Sequence, residues 1–262
     1  MDQVNQTLYI PLYGKAFVSR KRKILCDKKS EQIWEKEGFS LKGKSRSKWL
    51  AYYMAMRAAV FDRWVKRKRK EHPDAAVLHI GCGMDSRVER LKADNCQWYD
   101  IDFPAVINER KKYYKETEMY HMIGADVRTD GWIKKIRERK EAIVIMEGVS
   151  MYFRPEELKN LLSCLLEHFC SVSLLMDCYT KKGAKLTKYK NPINDVGVHT
   201  VYGYEKPEEI TEQTDLVFVK RHNMTPEKMI QELDGGERIL FRIIFAGGIS
   251  KKIYRLYEYQ KV

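Results

Sequence analysis

Three carboxylates follow three apolar stretches of the chain at comparable positions. Asp102 comes at the end of "WYDID", Asp126 at the end of "IGAD", and Glu147 directly after "AIVIM". Upstream, Gly81 and Gly83 lie in "HIGCGMDS", after another apolar stretch. Glycines permit a tight turn and close approach of the backbone to a ligand, and a helix that starts after such a turn offers free N–H groups. These residues predict a ligand site built from a glycine turn and carboxylates.

The spacing of the carboxylates indicates a nucleoside. Asp102 lies about twenty residues after the glycines, where a carboxylate can accept both hydroxyls of a ribose, although a helix cap before Pro104 is an alternative. Asp126 could accept a hydrogen bond from the exocyclic amine of an adenine. A dinucleotide is disfavoured, because Ser86 replaces the third glycine of that fingerprint and three carboxylates would repel a pyrophosphate.

S-adenosylmethionine suits such a site, since it joins an adenosine to a cationic centre and an ammonium group. A carboxylate that emerges from an apolar strand, as Glu147 does, would be costly to bury without such a partner. The ligand's own carboxylate would require a cationic side chain. The candidates for that partner are Lys15, Arg57 and Arg87.

Apolar stretches that alternate with helical patterns must position these residues. They predict strands over 75–81, 96–103, 120–126, 141–148 and 171–177, and helices over 85–93, 104–116, 131–140 and 155–169. Further on they predict strands over 215–222 and 253–262, with an apolar run at 238–246 that fits a helix or a strand. This order predicts an α/β fold with a doubly wound, mostly parallel seven-stranded sheet, N-terminal helices and an insertion after the fifth strand.

The length and composition favour a single domain. The chain has 262 residues, of which 44% are hydrophobic, enough for one large core. Within residues 1–262 we expect a helical N-terminal cap (1–72), a cofactor-binding core (73–177), a substrate lid insertion (178–215) and the remainder of the sheet (216–262).

The net charge of +13 raises the question of a nucleic-acid partner. The densest basic run, residues 66–70, is typical of a solvated helix end whose cations complement the helix dipole. Acidic strand ends would repel phosphate, so a nucleic-acid partner is disfavoured.

The six cysteines form no C-x-x-C pair and predict no metal site, and no apolar segment is long enough to span a membrane. We therefore expect a cytoplasmic protein, monomeric or weakly dimeric, with a small-molecule acceptor and no membrane partner.

Several segments in order resemble the leucine carboxyl methyltransferase family, including its polyketide-biosynthesis O-methyltransferase branch. They are "VLHIGCGMDSRVERL", "WYDIDFPAVINER", "IGADVR" and "IVIMEGVSMYFRPEEL", preceded by "PLYGKAFVSRKRKIL" and "YYMAMRAAVFDRWV". The resemblance spans roughly residues 12–177, and "YGYEKPEEI" is similar to a segment in the insertion of the polyketide branch. It implies a Rossmann-like class I methyltransferase that uses S-adenosyl-L-methionine and releases S-adenosyl-L-homocysteine.

The resemblance also implies roles for individual residues. Lys15 and Arg57 would hold the methionine end of the cofactor, and Glu147 would close the site. Gly81 would lie in the glycine turn, together with Gly83. The family usually has Thr-Arg or Thr-Thr where this chain has Ser86-Arg87, an exchange that keeps the hydroxyl group. At the adenosine end, Asp102 would bind the ribose, while Asp126 and Val127 would border the adenine.

Methyl transfer from a sulfonium requires alignment and exclusion of water rather than a nucleophilic residue. A carboxylate acceptor is ionised at neutral pH and needs no base, whereas a hydroxyl acceptor needs one within hydrogen-bond reach. His199 is a candidate base, and Tyr152 is a candidate to face the acceptor. The sequence thus predicts an O-methyltransferase for a small polyketide-like or other carboxylate or hydroxyl acceptor. The alternatives are a protein C-terminal carboxyl methyltransferase and a basic nucleic-acid-binding protein.

Overall fold

Seven strands form one sheet in the computed structural model, which describes residues 4–38, 46–137, 139–186 and 200–261. The strands are β1 (Ala76–Ile80), β2 (Trp98–Asp102), β3 (Tyr120–Gly124), β4 (Glu141–Met146), β5 (Ser171–Tyr179), β6 (Val217–His222) and β7 (Tyr254–Lys261). They are ordered β3-β2-β1-β4-β5-β7-β6. Every pair is parallel except the two that β7 makes with β5 and β6. The predicted mostly parallel seven-stranded sheet is confirmed.

Among the described residues, three helices precede the first strand, others follow individual strands, and together they cover both faces of the sheet. They are α1 (Val4–Arg20), α2 (Lys28–Glu37), α3 (Lys48–Glu71), α4 (Arg87–Arg90), α5 (Pro104–Arg110), α6 (Pro155–His168), α7 (Lys181–Leu186), α8 (Glu208–Thr211), α9 (Glu227–Ile230), α10 (Gly235–Phe245) and α11 (Gly248–Ile253). On one face, Phe61 and Trp64 of α3 pack in a core that includes Val77 of β1. On the other, Leu161 of α6 packs in a core that includes Leu78. All five residues of β1 are buried, as expected for a central parallel strand.

Several predicted helices are shorter in the structure. The predicted helix over 131–140 is wrong, because the described residues of this segment form only a 3₁₀ turn, at Ile133–Lys135. This segment buries Trp132, Ile133 and Ile136, which is too little apolar surface to stabilise a longer helix among so many charged residues. The helix after β1 ends at Arg90, shortly before Lys92 takes a positive φ of 49°.

The region after β5 also differs in its boundaries. Strand β5 continues to Tyr179, two residues into the segment expected to be the insertion. The apolar run at 238–246 is helical, as part of α10. None of the helices in the described residues is long and apolar enough to cross a membrane.

Candidate active site

A cavity of about 440 Å³ lies at the carboxyl ends of β1, β2 and β4. This is the edge at which open α/β sheets bind ligands. Helices α1, α3, α5, α10 and α11, the last residue of β5 and the first residue of β7 also contribute to its wall. The predicted site residues that line it are Lys15, Arg57, Gly81, Gly83, Asp102, Glu147 and Tyr152. His199 lies outside the described residues, and Asp126 and Val127 are not part of the lining.

The glycine turn follows β1 in a conformation that favours glycine. Gly81 has φ +67°, and a Cβ atom there would lie 2.6 Å from Cγ2 of Val149. Gly83 has φ +51°, and its backbone N–H donates to Oδ2 of Asp102 over 2.8 Å. The turn from β1 is therefore tied directly to the end of β2.

Asp102 presents a carboxylate with unused acceptor positions to the cavity. Its Oδ2 accepts from Gly83 and its Oδ1 accepts from the N–H of Phe103 over 2.8 Å. Each carboxylate oxygen can accept about two hydrogen bonds, so both oxygens can take a further donor. Burial raises the pKa of Asp102 above its ordinary value, while the two N–H donors oppose that shift. The arrangement fits a diol such as that of a ribose.

Arg57 of α3 connects the ends of three strands from inside the cavity wall. Its Nε donates to Oε1 of Glu147 over 3.0 Å, and its Nη1 forms an ion pair with Oδ2 of Asp177 at 3.0 Å. The same Nη1 lies 3.4 Å from the hydroxyl of Tyr254. On the other side, the N–H of Gly148 donates to Oδ1 of Asp177 over 2.7 Å. Arg57 thus has a structural role as well as a place in the lining.

Asp177 is a residue of this site that the sequence analysis did not identify. Burial raises the pKa of its carboxyl to about 6, against the opposing effect of the Arg57 guanidinium. The only sequence signal was its place at the end of the fifth apolar stretch, comparable to that of Glu147 at the end of the fourth. Tyr254, the first residue of β7, belongs to no sequence motif that indicated a place in the site.

Arg87 lies behind the cavity rather than in its wall. Its Nε donates to Oδ1 of Asp62 over 2.7 Å, its Nη1 lies 3.2 Å from Nε2 of His79, and its Nη2 donates to Oε2 of Glu147. The side chain of Glu147 is buried, which would raise its pKa, but Arg87 and Arg57 together hold the pKa below the ordinary value. Arg87 therefore fixes the ionised carboxylate of Glu147 and is not available to a cofactor in this arrangement.

Lys15 reaches the cavity from α1. Its Nζ lies 3.1 Å from Oδ2 of Asp85, and both side chains are buried. Burial alone would raise the pKa of Asp85, but neighbouring cations, with Arg87 and Lys15 first among them, hold it well below its ordinary value. Lys15 is thus a fixed cation at the edge of the glycine turn.

The charged groups of the lining fit S-adenosylmethionine. Three carboxylates, Asp85, Asp102 and Glu147, face the cavity together with two cations, Lys15 and Arg57. The lining has one more carboxylate than it has cations. A ligand with a sulfonium, an ammonium and one carboxylate has a single excess positive charge, which complements this set.

Asp126 and Val127 follow β3 outside the cavity lining. The side chain of Arg128 binds both oxygens of Asp126, with Nη2 to Oδ2 at 2.6 Å and Nε to Oδ1 at 2.9 Å. Val127 packs beside the core that contains α6. A contact between these residues and an adenine remains a prediction, and for Asp126 it would compete with Arg128.

Aromatic side chains line the cavity together with the charged groups and are here called the aromatic wall. They are Tyr53, Phe103, Tyr152, Tyr179, Phe245 and Tyr254. The rings of Tyr179 and Tyr254 meet edge to face at 4.6 Å between centroids. Burial raises the pKa of Tyr152 to about 12, so its hydroxyl is protonated at neutral pH and can donate but not act as a base.

The sheet order, the glycine turn and the carboxylate at the end of β2 define a class I, S-adenosylmethionine-dependent methyltransferase. A sequence model of the family described as leucine carboxyl methyltransferase matches residues 3–166, which is more than half of the chain. The protein therefore belongs to the leucine carboxyl methyltransferase family. The predicted family and cofactor are confirmed.

Two relatives with assigned names are similar in sequence. The tetracenomycin polyketide synthesis O-methyltransferase TcmP of Streptomyces glaucescens is 29% identical over 206 residues, which is 78% of this chain and 76% of the relative. The S-adenosyl-L-methionine-dependent methyltransferase dpfgK of Gibberella zeae is 27% identical over 181 residues, which is 63% of this chain and 61% of the relative.

Solved structures share the fold at low sequence identity. A DUF574 family protein from Streptomyces avermitilis superimposes with a TM-score of 0.59 at 15% identity and covers 90% of each chain. The magnesium protoporphyrin IX methyltransferase of Synechocystis with bound S-adenosylmethionine superimposes with a TM-score of 0.52 at 11% identity, over 88% of this chain and 90% of that one. These similarities support the fold. Within the described residues, no cluster of His, Cys, Asp or Glu could hold a metal ion.

Proposed function

We propose that this protein transfers a methyl group from S-adenosylmethionine to an oxygen of a small, largely apolar acceptor with a flat ring system. One observation carries the proposal: a single cavity joins the charged strand ends to a wall of aromatic side chains. The name of TcmP, a polyketide synthesis O-methyltransferase, supports an oxygen of a small molecule as the acceptor.

The residues of the charged end would position the cofactor. S-adenosylmethionine supplies a methyl group on a cationic sulfur, which is already activated for displacement by an oxygen. Asp102 would accept from the ribose hydroxyls, and Lys15 and Arg57 would bind the methionine carboxylate. Glu147, kept ionised by Arg57 and Arg87, would accept from the ammonium group.

The residues of the aromatic wall would orient the acceptor. The rings of Tyr179 and Phe245 offer flat apolar surfaces, and the hydroxyl of Tyr152 can donate to an acceptor oxygen. A carboxylate acceptor would need no base here, because it is already ionised at neutral pH. Alignment and shielding from water would then supply most of the rate enhancement.

Two measurements test the proposal. Calorimetry with S-adenosylmethionine and S-adenosylhomocysteine measures binding to the charged end, and absence of binding at millimolar concentration would refute it. Transfer of labelled methyl groups to a panel of aromatic carboxylic acids, phenols and a peptide with a free C-terminus measures the acceptor class. Lability of the label in mild base distinguishes an ester from an ether. Labelling of the peptide alone would favour a protein carboxyl methyltransferase and reject a small-molecule acceptor.

A further inference from the structure

Exposed apolar side chains are concentrated on two helices, α7 and α10, and α10 contributes to the cavity wall. Eight large apolar side chains are exposed among the described residues, and five of them belong to α7 and α10. Ile239, Leu240, Ile243 and Ile244 form a stripe along α10, spaced so that they share one side of the helix. Ile239 and Ile243 are 61% and 69% exposed. Leu186, at the end of α7, is also exposed.

The same region is strongly basic. Helix α11 packs against both α7 and α10, so the three helices form one surface, here called the basic apolar face. Their sequences contain seven lysines and arginines, and Glu237 is the one acidic residue among them. Arg242 pairs with Glu227 and Lys181 with Glu209. Lys182, Lys185 and Lys252 form no ion pair with any described residue and are exposed.

We propose that the basic apolar face docks on an anionic lipid membrane surface. An aliphatic stripe flanked by lysine and arginine is the combination that binds the interface of anionic bilayers, with the apolar side chains inserted and the cations near the headgroups. A second copy of the chain is a poor occupant, because a two-fold interface would place the same cations against one another. The expectation of no membrane partner rests on the lack of a spanning segment in the sequence, but docking on a membrane surface requires no such segment.

The position of the stripe connects docking to the cavity. Ile244 belongs to the stripe and lines the cavity, and the adjacent Phe245 lies in its aromatic wall. Docking of α10 would therefore bring the cavity mouth to the lipid surface. An apolar acceptor dissolved in the bilayer could enter without crossing bulk water.

Sedimentation of the full chain with lipid vesicles tests the proposal without any activity measurement. We expect the protein to bind vesicles of equal parts phosphatidylglycerol and phosphatidylcholine at least about tenfold more tightly than vesicles of phosphatidylcholine alone. Added salt should weaken this binding, because the lysines act through the surface potential.

Three variants locate the binding surface. The double change Ile239→Gln and Ile243→Gln keeps good helix formers and should weaken binding at least about tenfold. The double change Lys182→Glu and Lys185→Glu should weaken it by at least a similar factor, roughly tenfold, on anionic vesicles. The matched control is Val217→Thr with Val219→Thr, which removes exposed apolar surface from β6 and should leave binding unchanged.

Three outcomes would overturn the proposal. The first is equal sedimentation with anionic and neutral vesicles. The second is wild-type binding by both the glutamine and the glutamate variants. The third is a wild-type dimer that the glutamine variant abolishes in analytical ultracentrifugation, which would make α10 an interface between copies. Circular dichroism and S-adenosylhomocysteine affinity verify that each variant is folded.

Discussion

The Asp102→Asn variant tests the cofactor site most directly, because the structure defines what the carboxylate already binds. Its two oxygens accept one backbone N–H each, from Gly83 and Phe103. One acceptor position on each oxygen remains for a ribose hydroxyl. In asparagine, an NH₂ group replaces one of the two oxygens. This group cannot accept a hydrogen bond from a ribose hydroxyl, and it faces the backbone N–H that donated to the replaced oxygen.

The expected loss of affinity follows from these contacts. A hydrogen bond to a charged group contributes about 1.5–3 kcal/mol, and a charge-assisted bond is roughly twice as strong as a neutral one. Loss of one such bond and weakening of the other amounts to about 3 kcal/mol, or about 150-fold in the dissociation constant. Calorimetry with S-adenosylhomocysteine measures this loss.

The charge itself requires a control. Asp94→Asn removes one negative charge at an exposed position away from the cavity, and we expect it to bind as the wild type does. Because burial raises the pKa of Asp102, the wild-type affinity should also fall as the pH drops through that value, and the asparagine variant should lack this component. A dissociation constant of Asp102→Asn within about threefold of the wild-type value would refute the ribose assignment. Such a change in binding free energy is under half of what a single weak hydrogen bond to a charged group contributes.

Three further predictions concern the rest of the site. Gly148→Ala and the control Gly38→Ala both force alanine into a positive φ, of 72° and 59°, and each should lose about 1–2 kcal/mol in denaturant unfolding. Only the Gly148 variant should weaken S-adenosylhomocysteine binding, because its Cβ would lie 3.2 Å from Nη2 of Arg57; equal affinities would contradict this contact. Burial raises the pKa of Asp177 to about 6, so the native state binds this proton more tightly than the unfolded state does. The free energy of unfolding of the wild type, relative to that of Asp177→Asn, should therefore fall as the pH rises from about 4 to 6. Urea unfolding of both proteins measures this difference, and a difference that stays constant over this pH range would exclude the raised pKa of Asp177. Tyr152→Phe should lower kcat/KM about tenfold for an acceptor identified by labelling while cofactor affinity stays constant, and an unchanged kcat/KM would exclude the hydroxyl as a donor.

The order of the fold could be predicted because strands and helices alternate with distinct periodicities. A buried parallel strand such as β1 is continuously apolar, and the carboxylates that end β2 and β4 interrupt this pattern visibly. The lengths of the helices could not be predicted as well. Helix α4 ends after a single turn because Lys92 adopts a left-handed conformation, which a local pattern of apolar residues does not indicate.

The residues that line the cavity could be predicted in part, and their partners could not. Lys15, Arg57 and Glu147 carry the resemblance to the family in short local motifs. Asp177 and Tyr254 meet Arg57 only after strands distant in sequence pair in the sheet. Their part in the site depends on tertiary packing, which the periodicity of hydrophobic residues does not predict. The roles of all the predicted site residues, the oligomeric state and the absence of a nucleic-acid partner stay predictions.

The position of β7 has a consequence for the order in which the site can be assembled. This strand follows all the others in the sequence, yet it lies between β5 and β6, and β6 has no other neighbour in the sheet. Its first residue, Tyr254, contacts Arg57 and lines the cavity. During synthesis, the pairing of β6 in the sheet and the contact between Tyr254 and Arg57 must therefore wait for the segment 254–261 to leave the ribosome. A nascent chain that has not reached this point lacks Tyr254, which is one part of the wall beside the proposed acceptor position.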